Sequence, residues 1–184
     1  MPLINRLMER MRLREILSEH LPADDPRSEL STVLALLVLV RNVLLSRQPL
    51  YGVAEWAAEF APDLFDLWPG EVAMLHDDRL GRALDRLFDS VGPELILAIV
   101  RHVVQEFGVS LDELHNDSTS VSFYGAYDEA QKEGRQRGRT TPAITWGHSK
   151  DHRPDLQQLL FILTISDDGG VPGYFTTASG AQSA

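Results

Sequence analysis

The sequence predicts an α+β chain, helical over residues 1–108 and built of antiparallel strands over residues 109–184. Three observations carry this. Apolar residues recur at three- and four-residue spacing as far as Phe107, the period shortens to two from Asn116, and a strongly apolar run ends in Asp167-Asp168-Gly169-Gly170, the signature of a strand entering a hairpin turn. Apolar residues make up 43% of the 184, enough for a core, and with 24% charged residues they exclude a wholly disordered chain. The chain has no cysteine, which excludes disulfides, thiolate catalysis and cysteine-ligated zinc. Its longest apolar run, residues 33–40, falls well short of the ~20 residues a membrane span needs. The N-terminus lacks a basic start followed by an apolar stretch, so no signal peptide is read and a cytoplasmic protein without a membrane partner is expected.

In the helical part, Leu3, Leu7, Met8, Met11 and Ile16 fall at helical spacing. Pro22 and Pro26, with Asp24 and Asp25 between them, mark a break. Ser28 can cap the next helix, which is expected to reach about Arg47; apolar on nearly all sides over residues 33–45, it is expected to be central. Pro49 opens a short amphipathic stretch with Tyr51, Val53, Trp56 and Phe60, and residues 62–70 read as loop. Asp77 or Asp78 can cap a helix carrying Leu80, Leu84, Leu87 and Phe88, in which Gly81 would permit close helix packing. Gly92-Pro93 opens the last of about five helices, and Gly108 ends it.

Beyond Gly108, alternation puts Asn116, Ser118, Ser120, Ser122 and Tyr124 on one face of a strand and Asp117, Thr119, Val121 and Phe123 on the other. Residues 126–142 are polar and read as an exposed loop. Residues 159–166 form the apolar strand and residues 171–177 the strand that returns from its turn.

A net charge of −10 argues against binding nucleic acid by bulk attraction, so any DNA contact must come from local patches. One is residues 132–139, where Lys132, Arg135, Arg137 and Arg139 outweigh the single acid Glu133; this segment could follow a phosphate backbone or be a solvated loop. Another is residues 146–155, with His148, Lys150, His152 and Arg153 interleaved with Asp151 and Asp155. Lys150 and Arg153 suit a phosphate. His148 and His152 have the spacing of metal ligands on a helix, but Pro154 argues against a helix there. Lys–Asp pairs closing a surface loop would explain the same residues. Asp117 reads either as a magnesium ligand on a rigid strand or as a strand-entry Asp bonded to Thr119. Asp77 and Asp78 read as a helix start, acids at the positive end of the dipole.

Three segments together resemble the transposases of bacterial insertion sequences that use a DDE acid triad on a ribonuclease-H-like fold. Pro49-Leu50-Tyr51 with Glu55-Trp56-Ala57, followed by Asp77-Asp78-Arg79-Leu80-Gly81-Arg82-Ala83-Leu84-Asp85, is similar to the helical N-terminal domain of one branch. His115-Asn116-Asp117-Ser118-Thr119-Ser120, ending at Phe123-Tyr124-Gly125, resembles its first catalytic strand. Gly147-His148-Ser149-Lys150-Asp151-His152-Arg153-Pro154-Asp155-Leu156 resembles the segment leading into its second. The resemblance implies residues 1–108 as the helical N-terminal domain and 109–184 as an incomplete ribonuclease-H-like domain. It implies phosphoryl transfer on DNA by two divalent ions, Mg²⁺ or Mn²⁺, held by three carboxylates, with Asp117 the first catalytic and metal-binding acid. Lys132, Arg135, Arg137, Arg139, Lys150, His152 and Arg153 would hold DNA at the element ends.

The departures set a further expectation. In the family the second acid follows a fourth strand and the glutamate lies on a later helix, whereas this chain stops at Ala184, after the third strand. It has Ala181 and Ala184 where the family tends to have Asn and Asp, and the turn accounts for Asp167 and Asp168. One acid of three implies a truncated, inactive polypeptide that does not hold the ions tightly. A non-catalytic DNA-binding module that competes with full-length transposase is the alternative. A metal hydrolase using Asp117, His148 and His152 is a third reading.

Overall fold

The computed structural model describes residues 1–90, 92–130, 134–136, 138–147, 153 and 155–180, with the backbone alone at 129, 135, 136 and 139. The chain is α+β and divides into two compact units, Met1–Glu106 and Phe107–Ala184.

The first unit is built on α1 (Pro2–Arg10), α2 (Leu13–His20), α3 (Thr32–Leu45), α4 (Val53–Ala58), α5 (Asp77–Asp89) and α6 (Gly92–Phe107). The expected first helix is two. Arg12 takes φ +51, a left-handed conformation costing roughly 1–2 kcal/mol. The corner it makes lets Met8 on α1 and Ile16 and Leu17 on α2 enter one core.

Ser31, not Ser28, caps α3: its hydroxyl accepts from the Val33 N–H at 3.2 Å. The Asp24 carboxylate adds a bond from the Thr32 N–H at 3.1 Å, while the Ser28 hydroxyl donates to the Leu30 carbonyl. Ala35, Leu36, Leu37, Val38 and Leu39 are buried, and α3 packs against α2 and α5. Its last turn is different: Val43, Leu44 and Leu45 are exposed, so the helix is central only as far as Asn42.

Residues 62–70 are also more ordered than a loop. They contain the 3₁₀ turn Pro62–Phe65 and the start of a second, Pro69–Met74, each with proline in the first position, where its missing N–H costs nothing. Phe65, Leu67 and Val72 plug the core from these turns. Phe65 stands edge-to-face with Trp56 and Phe60 at 5.4 and 5.9 Å between ring centroids. The residue before α5 is His76, and Leu80 and Ala83 are the buried positions of that helix. A Cβ at Gly81 would meet nothing within 4 Å, so close packing is not why glycine stands there. Gly108 follows α6 at φ +65, as a helix-ending glycine should. No single helix is long and apolar enough to cross a membrane.

The second unit holds a three-stranded antiparallel sheet of β1 (Leu114–Phe123), β4 (Gln157–Ser166) and β5 (Pro172–Ser179), in the order β1-β4-β5. The short antiparallel pair β2 (Gly134–Gln136) and β3 (Arg139–Thr141) stands where a loop was expected, with Gly138 at φ +83 in its turn. The β4–β5 turn is the predicted one, with Gly169 and Gly170 both at positive φ. Its acids do local work. The Asp168 carboxylate accepts from the Ser110 N–H at 2.9 Å, and the Asp167 N–H donates to the Glu113 carbonyl at 3.0 Å.

Register aligns Asp117 with Leu163 and Phe175, and Thr119 with Phe161 and Thr177, on one side of the sheet. Val121 and Phe175 on that side are exposed. The other side carries Ser118, Leu160 and Gln158, all buried. The serine-rich face of β1 is therefore the covered one.

Candidate functional site

Asp117 lies mid-way along β1 with its side chain exposed on the open side of the sheet. Its Oδ1 accepts from the Ser118 N–H at 2.7 Å, a local bond of the kind an Asx residue makes with the backbone that follows. The neighbours aligned with it across the sheet, Leu163 and Phe175, are apolar. Flanking polar residues of β1 are tied to β4 and its turn: Asn116 Nδ2 donates to Thr164 Oγ1 at 2.9 Å, and His115 Nε2 lies 3.0 Å from Asp167 Oδ1.

Three of the basic residues fall on described backbone. Arg135 is on β2 and Arg139 on β3, where Arg135 pairs with Thr140 and Gln136 with Arg139. Lys132, Arg137, His148, Lys150 and His152 lie outside the described residues. Arg153 is described, and its guanidinium forks onto Asp155, with Nε–Oδ1 2.8 Å and NH2–Oδ2 2.7 Å. It also stands 5.9 Å from the centroid of the Tyr124 ring. This geometry matches a carboxylate bidentately, so a phosphate reaching Arg153 would have to displace Asp155.

The Arg153 guanidinium beside Asp155 holds that carboxyl below the usual carboxylate range. Because the folded value is depressed, the pair stabilises the fold above the ordinary Asp range and loses that contribution as pH falls through the folded value. In an NMR titration, Asp155 is expected to titrate below an ordinary Asp and to shift up toward the ordinary value in Arg153→Ala. An unchanged midpoint would show that the fork does not persist in solution.

Two-ion phosphoryl transfer needs several carboxylate oxygens converging on ions about 3.5–4 Å apart. Among the described residues, no group of three potential ligands includes Asp117. The group that does converge, His76, Asp77 and Asp78, is exposed around the first turn of α5 in the other unit.

Sequence reasoning passed over a concavity of about 380 Å³ in the helical unit. Arg79, Arg82 and Arg86 line it from α5, Arg27 lines it from the segment before α3, and Leu30 and Ala83 supply apolar wall. The signal was present as arginines spaced three and four apart, which places them on one helix face.

The match with known families covers this same unit. Residues 1–101 match the family model described as a domain of unknown function, DUF4277. The chain belongs to the DUF4277 family. The DUF4277 match ends inside α6, so the Asp117 sheet lies beyond it. No curated protein and no solved structure matches the chain.

Proposed function

We propose that this DUF4277 chain has the origin of a DDE transposase, its helical unit standing before the first strands of a ribonuclease-H-like catalytic domain. The observation that carries the reading is Asp117 in the middle of β1, the first strand of a three-stranded antiparallel sheet that follows a helical unit. The transposase-like segments occur along it in the family's order. In this reading Asp117 is the first of three acids that hold Mg²⁺ or Mn²⁺ in a complete site. The DNA partner is the insertion-sequence end, and the cytoplasm is where that DNA is met. Among the described residues the reading assigns one such acid, Asp117, and one acid alone is expected to leave DNA uncut. The alternative is a non-catalytic DNA-binding module that competes with full-length transposase.

DNA binding is expected to be weak and steeply salt-dependent, because a chain of net charge −10 can neutralise few phosphates and does so only through local patches. Titrating a labelled duplex carrying insertion-sequence ends at low and moderate salt checks this. No binding at low salt, or tight binding indifferent to salt, would overturn the reading. A companion assay incubates supercoiled plasmid with the polypeptide and Mn²⁺ beside an Asp117→Asn control. No nicking by either is expected. Nicking by the unsubstituted chain alone would mean that Asp117 works in a complete site.

A further inference from the structure

We propose that the arginine-lined concavity of the helical unit is a binding site for a phosphate-bearing ligand. The inference rests on that unit alone and stands whether or not the transposase reading does. Four guanidinium groups, those of Arg27, Arg79, Arg82 and Arg86, line one concavity with a single carboxylate, Asp25. Asp25 is taken by Arg27, with both carboxylate oxygens 3.2 Å from its guanidinium nitrogens. Two further acids sit near the α5 arginines at longer range: Glu29 is 3.7 Å from Arg79 and Asp24 is 3.5 Å from Arg86. Both are ion pairs, so four guanidinium groups face three carboxylates, a surplus of one positive charge. Positive charge therefore outweighs negative at the wall.

The donors are held in advance. Arg86 NH2 donates to the Pro22 carbonyl at 2.7 Å and to the Ala23 carbonyl, which fixes the guanidinium plane. Its Nε–H, and that of Arg79, are buried and have no hydrogen-bond partner among the described residues. Arg82, between them on α5, has no charged or hydrogen-bonded partner among the described residues.

The planar fork of arginine matches a phosphate with two parallel bonds, and a cluster of arginines suits a dianion better than a lone carboxylate. A space of about 380 Å³ exceeds a bare oxyanion and falls within the range of small-ligand sites. Leu30 and Ala83 give the rest of such a ligand an apolar surface. The phosphate can come from a free phosphorylated small molecule or from a DNA backbone.

The test uses the whole chain and inorganic phosphate as probe, with ionic strength held constant by chloride. Phosphate is expected to raise the melting temperature more than chloride does. Isothermal titration should give a phosphate affinity that falls roughly tenfold or more in Arg82→Gln and is lost in Arg82→Glu. Arg47→Glu, a charge reversal outside the concavity, is expected to leave that affinity within about twofold, since it removes no contact. No effect of phosphate beyond chloride would overturn the proposal. So would equal loss in Arg47→Glu, or full affinity in a folded Arg82→Glu. A short duplex that competes with phosphate identifies the backbone as its source, and a duplex that does not compete identifies a free ligand. Failure to bind duplex elsewhere on the chain would strike the transposase reading and leave this site intact.

Discussion

Gly180→Ala is expected to destabilise the sheet unit by about 3 kcal/mol or more, at or beyond the upper end of what overpacking usually costs. Three stretches of backbone meet at this glycine. Thr145 and Gln158 exchange both backbone hydrogen bonds at 3.1 and 2.8 Å, and the Gly180 N–H reaches the Ala143 carbonyl at 3.3 Å. The buried Gln158 side chain then donates to the Gly180 carbonyl at 3.2 Å. A Cβ on Gly180 would overlap the carbonyl oxygen of Gln158 and press on that of Thr145. Because both obstacles are main chain, no side-chain rotation relieves them. A Cβ on Gly147 would likewise overlap the Gly180 carbonyl, so Gly147→Ala should behave the same way. Urea unfolding with hydrogen exchange of the β4 amides reads the effect. Gly81→Ala supplies the opposite sign: in open space on α5 it should add about 1 kcal/mol, the ordinary helix preference for alanine over glycine. A Gly180→Ala protein with an unchanged urea midpoint would sink the argument.

The second large effect concerns a buried cation. Arg41 on α3 is only 3% exposed. Its Nε donates to Asn5 Oδ1 at 2.8 Å and its NH2 to Asp66 Oδ2 at 3.3 Å, while NH1 is buried without a partner among the described residues. Burial pushes its pKa below the usual arginine value despite Asp66. Asp66→Ala removes the counter-charge and leaves the cation in the core, which should cost about 3 kcal/mol, the low end for breaking a buried pair because Asp66 itself meets water. Arg41→Met removes the cation instead and fills the space with apolar atoms. Asp66 then keeps Arg14 at 2.6 Å, so the change should lie within about 1 kcal/mol of neutral. Thermal unfolding of both variants tests the ranking; an Arg41→Met protein less stable than Asp66→Ala would reverse it.

These residues show what the sequence made legible. The change of period near Gly108, the β4–β5 turn and the apolar run of β4 are local signals, and the structure has an antiparallel three-stranded sheet after the helices. What escaped depends on tertiary context. A left-handed Arg12 is a corner chosen by the core, not by local propensity. Phe65 and Leu67 looked like loop because their burial is set by the aromatic cluster of Trp56 and Phe60 rather than by periodicity. The serine face of β1 was covered and its apolar face open, and alternation alone has no sign. For the candidate site, Asp117 could be singled out as a strand carboxylate. The α5 arginines were passed over because the concavity they line is completed by Arg27, far away in sequence.

The position of β1 in the sheet gives Asp117 a second physical meaning. Among the described strands, β1 has a neighbour on one side only, and a strand with an open flank is a template for another copy of itself. A charge in the middle of such a strand is a gatekeeper: two copies stacked in register would place like carboxylates against each other. Neutralising Asp117 removes that repulsion on a surface that already shows Val121 and Phe175 to water. A loss of soluble protein at high concentration on substituting this residue would then report on intermolecular pairing, even where no metal or DNA is involved.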